Sequence, residues 1–219
     1  MSRADEIRAN AAAVEQRIAA ACERAGRARS EVRLVAVTKT FPAADVDRAI
    51  AAGLTDIGEN KVQEAREKQP DVASKARWHL IGHLQSNKAR DAVRIFDVIQ
   101  TVDSFELAEK LGRAAAALGK RQDVLLQVNV GRESQKSGVA PEETAALVQQ
   151  IGAIESLRVT GLMTIPPVGE ARPYFRELRA MRDDLGLTEL SMGMTDDFET
   201  AIEEGATIIR VGRAIFGNR

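Results

Sequence analysis

The chain has 219 residues, more than one small domain needs and fewer than two full ones, so a single large domain is expected. Hydrophobic residues at 44% and charged residues at 29% exclude a disordered chain, and 31 Lys plus Arg against 32 Asp plus Glu, a net charge of −1, argue against a general nucleic-acid binder. One cysteine, Cys22, excludes an internal disulfide and a thiolate zinc site, and His79 and His83, the only histidines, exclude a His-rich metal cluster.

The N-terminal stretch MSRADEIRANAAAVEQRIAAACERAGRARS carries charge throughout, so it is neither a signal peptide nor a membrane span, and a cytoplasmic protein is expected. Within it Ala4, Ile7, Ala11, Val14, Ile18, Cys22 and Ala25 recur at three- and four-residue steps, the stripe of an amphipathic helix that Gly26 closes. Cys22 on that stripe is a small core residue rather than a reactive thiol. Short β-branched runs then alternate with helical segments. Val32–Thr38 leads to a helix from Pro42 to Ala52, Asp56–Gly58 to one over Asn60–Lys68, and Trp78–Ile81 to one opening at Ser86. Val98–Val102 leads to Ser104–Leu118, Val124–Val130 to a helix starting at Pro141, and Arg158–Met163 to one near Pro173. Glu189–Ser191 leads to Thr195–Glu204, and Thr207–Val211 is the last strand. Early prolines and trailing glycines mark the helix ends.

Strict βα alternation implies a parallel sheet, and eight units close into a (β/α)8 TIM-type barrel, here with an additional N-terminal helix, as one domain over residues 1–219 with no second domain expected after Arg219. The alternative is an open doubly wound sheet, which calls for a Gly-x-Gly-x-x-Gly turn after the first strand; Thr38-Lys39-Thr40-Phe41 is nothing like it.

Active groups of such a barrel sit at the C-terminal ends of strands. The first strand ends in Lys39, whose amine becomes a nucleophile for carbonyls if the apolar mouth strips its hydration; a lysine that snorkels to solvent is the alternative. Asn60 follows the second strand and suits the N-cap of the next helix. His79 alternates with apolar neighbours and faces either into or out of the barrel, more plausibly as a buried hydrogen-bonded group than a catalytic one. Ser191-Met192-Gly193-Met194-Thr195 and Arg210-Val211-Gly212-Arg213 follow strands seven and eight, where barrels bind phosphate, although Asp196 and Asp197 repel an anion if they face it. A strand-one lysine with a phosphate cup fits a phosphorylated aldehyde held as an imine, and pyridoxal phosphate suits both ends.

The ordered set Val35-Ala36-Val37-Thr38-Lys39-Thr40, Gly58-Glu59-Asn60-Lys61-Val62-Gln63-Glu64, Trp78-His79-Leu80-Ile81-Gly82-His83-Leu84-Gln85-Ser86-Asn87-Lys88, Gly161-Leu162-Met163-Thr164-Ile165 and Ser191-Met192-Gly193-Met194-Thr195-Asp196-Asp197-Phe198-Glu199 closely resembles the pyridoxal phosphate homeostasis protein family. That family has the barrel of alanine racemase without its second domain, and the likeness covers nearly the whole chain. The resemblance implies Lys39 as the Schiff-base lysine, Asn60 beside the cofactor ring and Arg210 facing the pyridine nitrogen. It implies Ser191, Thr195, Gly212 and the backbone of Arg213 as the phosphate cup. Gly131-Arg132-Glu133-Ser134-Gln135-Lys136-Ser137-Gly138 resembles the family's loop after strand five, with Lys136 at most a secondary site. Two departures stand out. Thr195 replaces a frequent serine and keeps the hydroxyl, and Arg213 replaces a frequent threonine, so its side chain either adds charge to the phosphate or points to solvent.

The function implied is intracellular homeostasis and delivery of pyridoxal phosphate without established catalysis; a pyridoxal-phosphate-dependent amino-acid racemase or related enzyme is the alternative. Racemisation needs a base on each face of the substrate. Lys39 supplies one, alanine racemase draws the other, a tyrosine, from its second domain, and this chain has only Tyr174, in the helix after strand six. Partners expected from the resemblance are pyridoxal phosphate and the apo-enzymes that use it, with no nucleic acid, no membrane and a monomeric state.

Overall fold

Strands of β-branched and aliphatic residues bury both faces when helices cover one side and the strands close on themselves, and this chain does so in sequence order. In the computed structural model, which describes residues 1–217, β1 (Arg33–Val37), β2 (Asp56–Glu59), β3 (Arg77–Leu80), β4 (Val98–Val102), β5 (Gln122–Gln127), β6 (Leu157–Met163), β7 (Glu189–Ser191) and β8 (Ile208–Val211) are all parallel neighbours. The barrel closes where Arg33, Leu34, Val35 and Ala36 of β1 pair with Ile208, Ile209, Arg210 and Val211 of β8. Helices α2 (Ala43–Ala51), α3 (Val62–Lys68), α4 (Ala89–Ile95), α5 (Phe105–Ala117), α6 (Pro141–Gly152), α7 (Arg172–Asp184) and α8 (Phe198–Glu203) form the crossovers, and a short α9 (Arg213–Phe216) follows β8. The expected barrel is therefore the observed one.

The extra N-terminal helix, α1 (Arg3–Arg24), starts at a capping box in which the Ser2 hydroxyl accepts from Asp5 N and Asp5 accepts from Ser2 N. Its stripe of Ile7, Ala11, Val14, Ile18, Ala21 and Cys22 is buried against the barrel's helices, as its spacing predicts. Burial raises the Cys22 thiol above its ordinary value, which suits a core residue and not a nucleophile.

Alternation along the strands divides the interior in two. Leu34, Ala36, Ile57, Leu80, Val124, Leu126, Leu162 and Ile209 join the large apolar layer beneath the helices. Val35, Val98, Leu125, Met163 and Ile208 form a separate small cluster inside the barrel. The rest of the barrel interior is polar. Arg210 Nη1 donates to Ser191 Oγ (2.7 Å), Ser191 Oγ donates to Gln100 Oε1 (2.6 Å), Gln100 Nε2 meets His79 Nδ1 (3.0 Å) and His79 Nε2 meets Asp56 Oδ1 (2.8 Å). A guanidinium can only donate and a carboxylate only accept, so the direction of every bond follows: His79 accepts at Nδ1 and carries its proton on Nε2. His79 thus faces inward, buried and neutral.

Several boundaries move by a residue or so, strand five runs over Gln122–Gln127 rather than Val124–Val130, and three helix starts move for local reasons. The helix expected from Thr195 starts at Phe198, because Asp197 Oδ1 takes the Met194 N–H (2.6 Å) and folds Thr195–Asp197 into a turn. The helix expected at Asn60 starts at Val62 with Lys61 in the cap position, which leaves Asn60 free of capping duty. The segment from Ser86 begins as a 3-10 turn before α4. Among the described residues no helix is long and apolar enough to cross a membrane, and no group of His, Cys, Asp or Glu could hold a metal.

Acidification should cost stability through His79. Burial, opposed by Asp56, lowers its pKa below the ordinary 6.5. Below that value the unfolded chain takes up a proton that the folded chain resists, so the stabilisation is complete above the unfolded pKa and is lost as pH falls through it. Urea midpoints should decline between pH 6.5 and 5 in the parent and flatten in His79→Gln. An identical decline in both would assign the effect to other groups.

Candidate functional site

The C-terminal ends of the strands open into a cleft of about 560 Å³, within the range of ligand sites. Each strand end contributes through its own turn. After β1 the chain folds back where Phe41 N donates to Thr38 O (3.0 Å), with Thr40 in the left-handed region at φ 70, and Lys39 comes off that turn half-buried into the cleft. After β2, Asn60 enters the lining. Its position depends on Gly82, where an added Cβ would lie 2.2 Å from Asn60 O, so only glycine lets the two segments pass.

Next to β1 where the barrel closes, β7 and β8 and the turns after them supply Met194, Thr195, Asp196, Arg210, Gly212 and Arg213. Gly193, at φ 92, makes the turn after β7, with an added Cβ 2.5 Å from Ala201 Cβ. Arg210 lies at the floor, 4% exposed, with one donor on Ser191 Oγ and Nη2 on Thr164 O (2.8 Å). Burial lowers its pKa to about 10 against the pull of Asp197, which leaves it cationic at neutral pH. The Asp197 carboxyl is itself raised by burial while holding the Met194 N–H.

Six of the seven residues singled out from sequence, Lys39, Asn60, Thr195, Arg210, Gly212 and Arg213, line this one cleft. Ser191 does not. It is fully buried beneath Arg210, and its hydroxyl is spent accepting from Arg210 and donating to Gln100. Asn60 is a lining residue rather than the helix cap. Arg213 is exposed and paired with Asp196, so the two charges on this rim meet each other, and Asp197 is turned to a backbone N–H. Lys136 lies outside the lining; its Nζ donates to Pro166 O (3.1 Å) and pairs with Glu133 (2.5 Å). Tyr174, in α7, packs on the apolar core, and His83 is exposed near Asp103 (3.7 Å).

Sequence inspection overlooked the apolar walls, Val37, Phe41, Ile81, Ile165 and Met194. Their signal was position. Ile81 and Ile165 follow strand ends as Lys39 does, but an aliphatic residue carries no chemical mark that sets it apart from the core.

The family described as alanine racemase, N-terminal domain, matches residues 9–219. The pyridoxal phosphate homeostasis protein of Pseudomonas aeruginosa is 44% identical, over 97% of this chain and 96% of that one. Among solved structures, an unknown protein from Bifidobacterium adolescentis is 42% identical with a TM-score of 0.92, covering 98% of this chain and 96% of its own. PipY of Synechococcus elongatus, solved with PLP bound, is 40% identical with a TM-score of 0.82, covering 93% of this chain and 100% of its own.

Gly82→Ala should destabilise the protein by about 1–3 kcal/mol, because the methyl group has to displace the Asn60 backbone. Gly152→Ala at the end of α6, where an added Cβ meets nothing within 4 Å, should stay within roughly 1 kcal/mol of the parent. Urea denaturation of both variants makes the comparison; equal midpoints would show that the cleft wall tolerates the methyl group.

Proposed function

This chain belongs to the alanine racemase N-terminal domain family and, within it, to the pyridoxal phosphate homeostasis proteins, and from that premise we propose that it binds pyridoxal 5′-phosphate, holds it covalently on Lys39 and hands it to apo-enzymes without catalysing a reaction of its own. The observation that carries this role is the convergence of one amine, one buried guanidinium, one amide and one hydroxyl on a single cleft. That donor set fits the cofactor's aldehyde, ring nitrogen, ring hydroxyl and phosphate. When bound, the cofactor supplies an aldehyde that condenses with amines and a ring that withdraws electrons.

Lys39 is the attachment point, presented by the turn after β1. Arg210 is set by Ser191 and Thr164 O to donate toward the ring nitrogen. Because it stays protonated, it keeps that nitrogen an acceptor, and the ring then withdraws electrons weakly. Ser191 acts through Arg210, beneath the cup rather than in it. The phosphate is held by the Thr195 hydroxyl and the backbone of Gly212 and Arg213. A Cβ on Gly212 would press on Val37 O at 3.1 Å, so glycine lets the backbone come close there without a shift of β1. The Arg213 guanidinium shares its charge with Asp196 and adds to the phosphate's field from the rim.

The lining of the cleft supports the reading without catalysis. Among the described lining residues stands no tyrosine or histidine, Tyr174 packs half-buried against the core outside the lining, and the Asp196 carboxylate is engaged by Arg213. A racemase needs a free base there. We place the protein in the cytoplasm as a one-domain monomer that acts on soluble recipients.

Borohydride should fix the cofactor to a single peptide containing Lys39, and Lys39→Ala should lose the visible absorbance; label on Lys61, Lys88 or Lys136 would overturn the attachment. Thr195→Val should weaken pyridoxal phosphate about 10- to 100-fold, the equivalent of one charge-assisted bond of roughly 1.5–3 kcal/mol, and leave unphosphorylated pyridoxal unchanged. Equal weakening of both would place Thr195 in the fold and not at the phosphate. Arg213→Ala should weaken binding modestly, with a loss that shrinks as salt rises. Incubation of the loaded protein with L-amino acids in deuterated water should give little α-deuterium; rapid incorporation would promote the racemase alternative.

A further inference from the structure

Behind the turn that carries Lys39 lies another lysine. Lys68, on α3, is buried, and its ammonium donates to Thr38 O (2.8 Å), Glu59 Oε1 (2.6 Å) and Glu64 Oε1 (3.0 Å). All three of its protons are thereby used. The Thr38 hydroxyl also donates to Glu59 Oε1 (2.6 Å), and Glu64 Oε1 accepts the N–H of Thr40. The cluster therefore grips both neighbours of Lys39: the carbonyl and hydroxyl of Thr38 before it and the amide of Thr40 after it. None of the three charged residues lines the cleft.

The grip has a conformational task. Thr40 is β-branched and sits at φ 70, a backbone state that costs such a residue on the order of 1–2 kcal/mol. It persists only if something outside the turn holds it, and Glu64 holds its amide. The cluster is also too polar for its place unless complete. Glu59 is fully buried and its Oε2 has no hydrogen-bond partner among the described residues, and burial raises its carboxyl against the pull of Lys68 and Thr38. Removing Lys68 leaves two carboxylates facing each other across the turn.

We propose that Lys68, Glu59 and Glu64 are positioning residues that aim the Lys39 amine at the cofactor's aldehyde, so that they govern covalent capture and not cofactor binding as such. This rests on Lys39 being the attachment residue. In that step the neutral amine of Lys39 adds to the carbonyl carbon, its two protons leave with the carbonyl oxygen as water, and a carbon–nitrogen double bond replaces the carbon–oxygen one. Its rate depends on how closely and in what direction the amine is held. The Arg210 guanidinium and the phosphate cup come from β7 and β8, with which the cluster makes no hydrogen bond, and of the ring contacts only Asn60, next to Glu59, adjoins it.

The test separates the two halves of binding with two ligands. Pyridoxal 5′-phosphate reports capture, through its absorbance and the borohydride label on Lys39. Pyridoxine 5′-phosphate, which has an alcohol in place of the aldehyde, reports the cup alone. In Lys68→Met and Glu64→Ala the rate of capture should fall on the order of tenfold, while the affinity for pyridoxine 5′-phosphate stays at the parent value. Glu64→Gln, which keeps an acceptor for the Thr40 amide, should recover most of the rate. Parent rates in both Lys68→Met and Glu64→Ala, or an equal loss for both ligands, would overturn the positioning role. If Lys68→Met does not fold, the Glu64 pair decides, since that residue sits at the surface end of the cluster. A parent protein that captures the aldehyde on some residue other than Lys39 sinks the attachment and this inference together; a normally labelled parent with unaffected variants sinks this inference alone.

Discussion

A guanidinium sealed inside a barrel of aliphatic strands has lost its water, and everything around it must answer for that. An uncompensated buried charge costs several kcal/mol, enough to consume much of a domain's net stability. Arg210 is answered by a line of acceptors that runs down the barrel through Ser191, Gln100 and His79 to Asp56, with Thr164 O at its side and the charge of Asp197 nearby. Because the line starts at a pure donor and ends at a pure acceptor, its members have one arrangement of protons. The guanidinium is therefore fixed in orientation as well as in charge. A floor group that cannot turn is what a cleft needs to hold a flat ring in one pose.

The ends of the chain serve the same site. Helix α1 lies across α2, α8 and α9, and its polar side chains reach the last strand-to-helix segment directly: Arg3 Nη2 donates to Phe216 O (2.9 Å) and Asn10 Nδ2 to Ile215 O (2.9 Å). Those carbonyls belong to α9, whose first residue is Arg213. The Arg3 guanidinium also sits 5.7 Å from the Phe41 ring, which packs 5.0 Å from that of Phe216. A helix of four residues would fray if left alone. Fastened this way, it holds the rim beside Gly212.

The two sides of the cleft are held differently. On the lysine side, buried charges grip the backbone from behind the wall. On the β7–β8 rim, Arg213 and Asp196 are exposed, in a pair that solvent and salt weaken. For the carrier role proposed above, such a division suits a cofactor that is held and then released, with a rigid amine and a yielding anion contact.

Much of this was legible in the chain. Val32–Thr38 and its seven successors, each joined to the next by a helical period, fix a parallel barrel, because a parallel strand pair needs a crossover and eight strands joined by seven crossovers close the sheet. Asn60, by itself a helix cap, entered the site through the family resemblance, while the strand-end rule pointed to Lys39, Thr195, Arg210, Gly212 and Arg213. It failed at Ser191, one residue too deep, because pleat direction decides whether a strand's last side chain reaches the cleft or the barrel core. It was silent on Lys68 and Glu64, which from sequence are ordinary charges on a helix surface. What the sequence by itself determined was the order of elements and the chemistry available at their ends, since periodicity and residue type are local. What only the tertiary structure decided was which polar groups face one another across strands far apart in the chain, since a hydrogen bond such as Gln100 to Ser191 exists only once the barrel has closed.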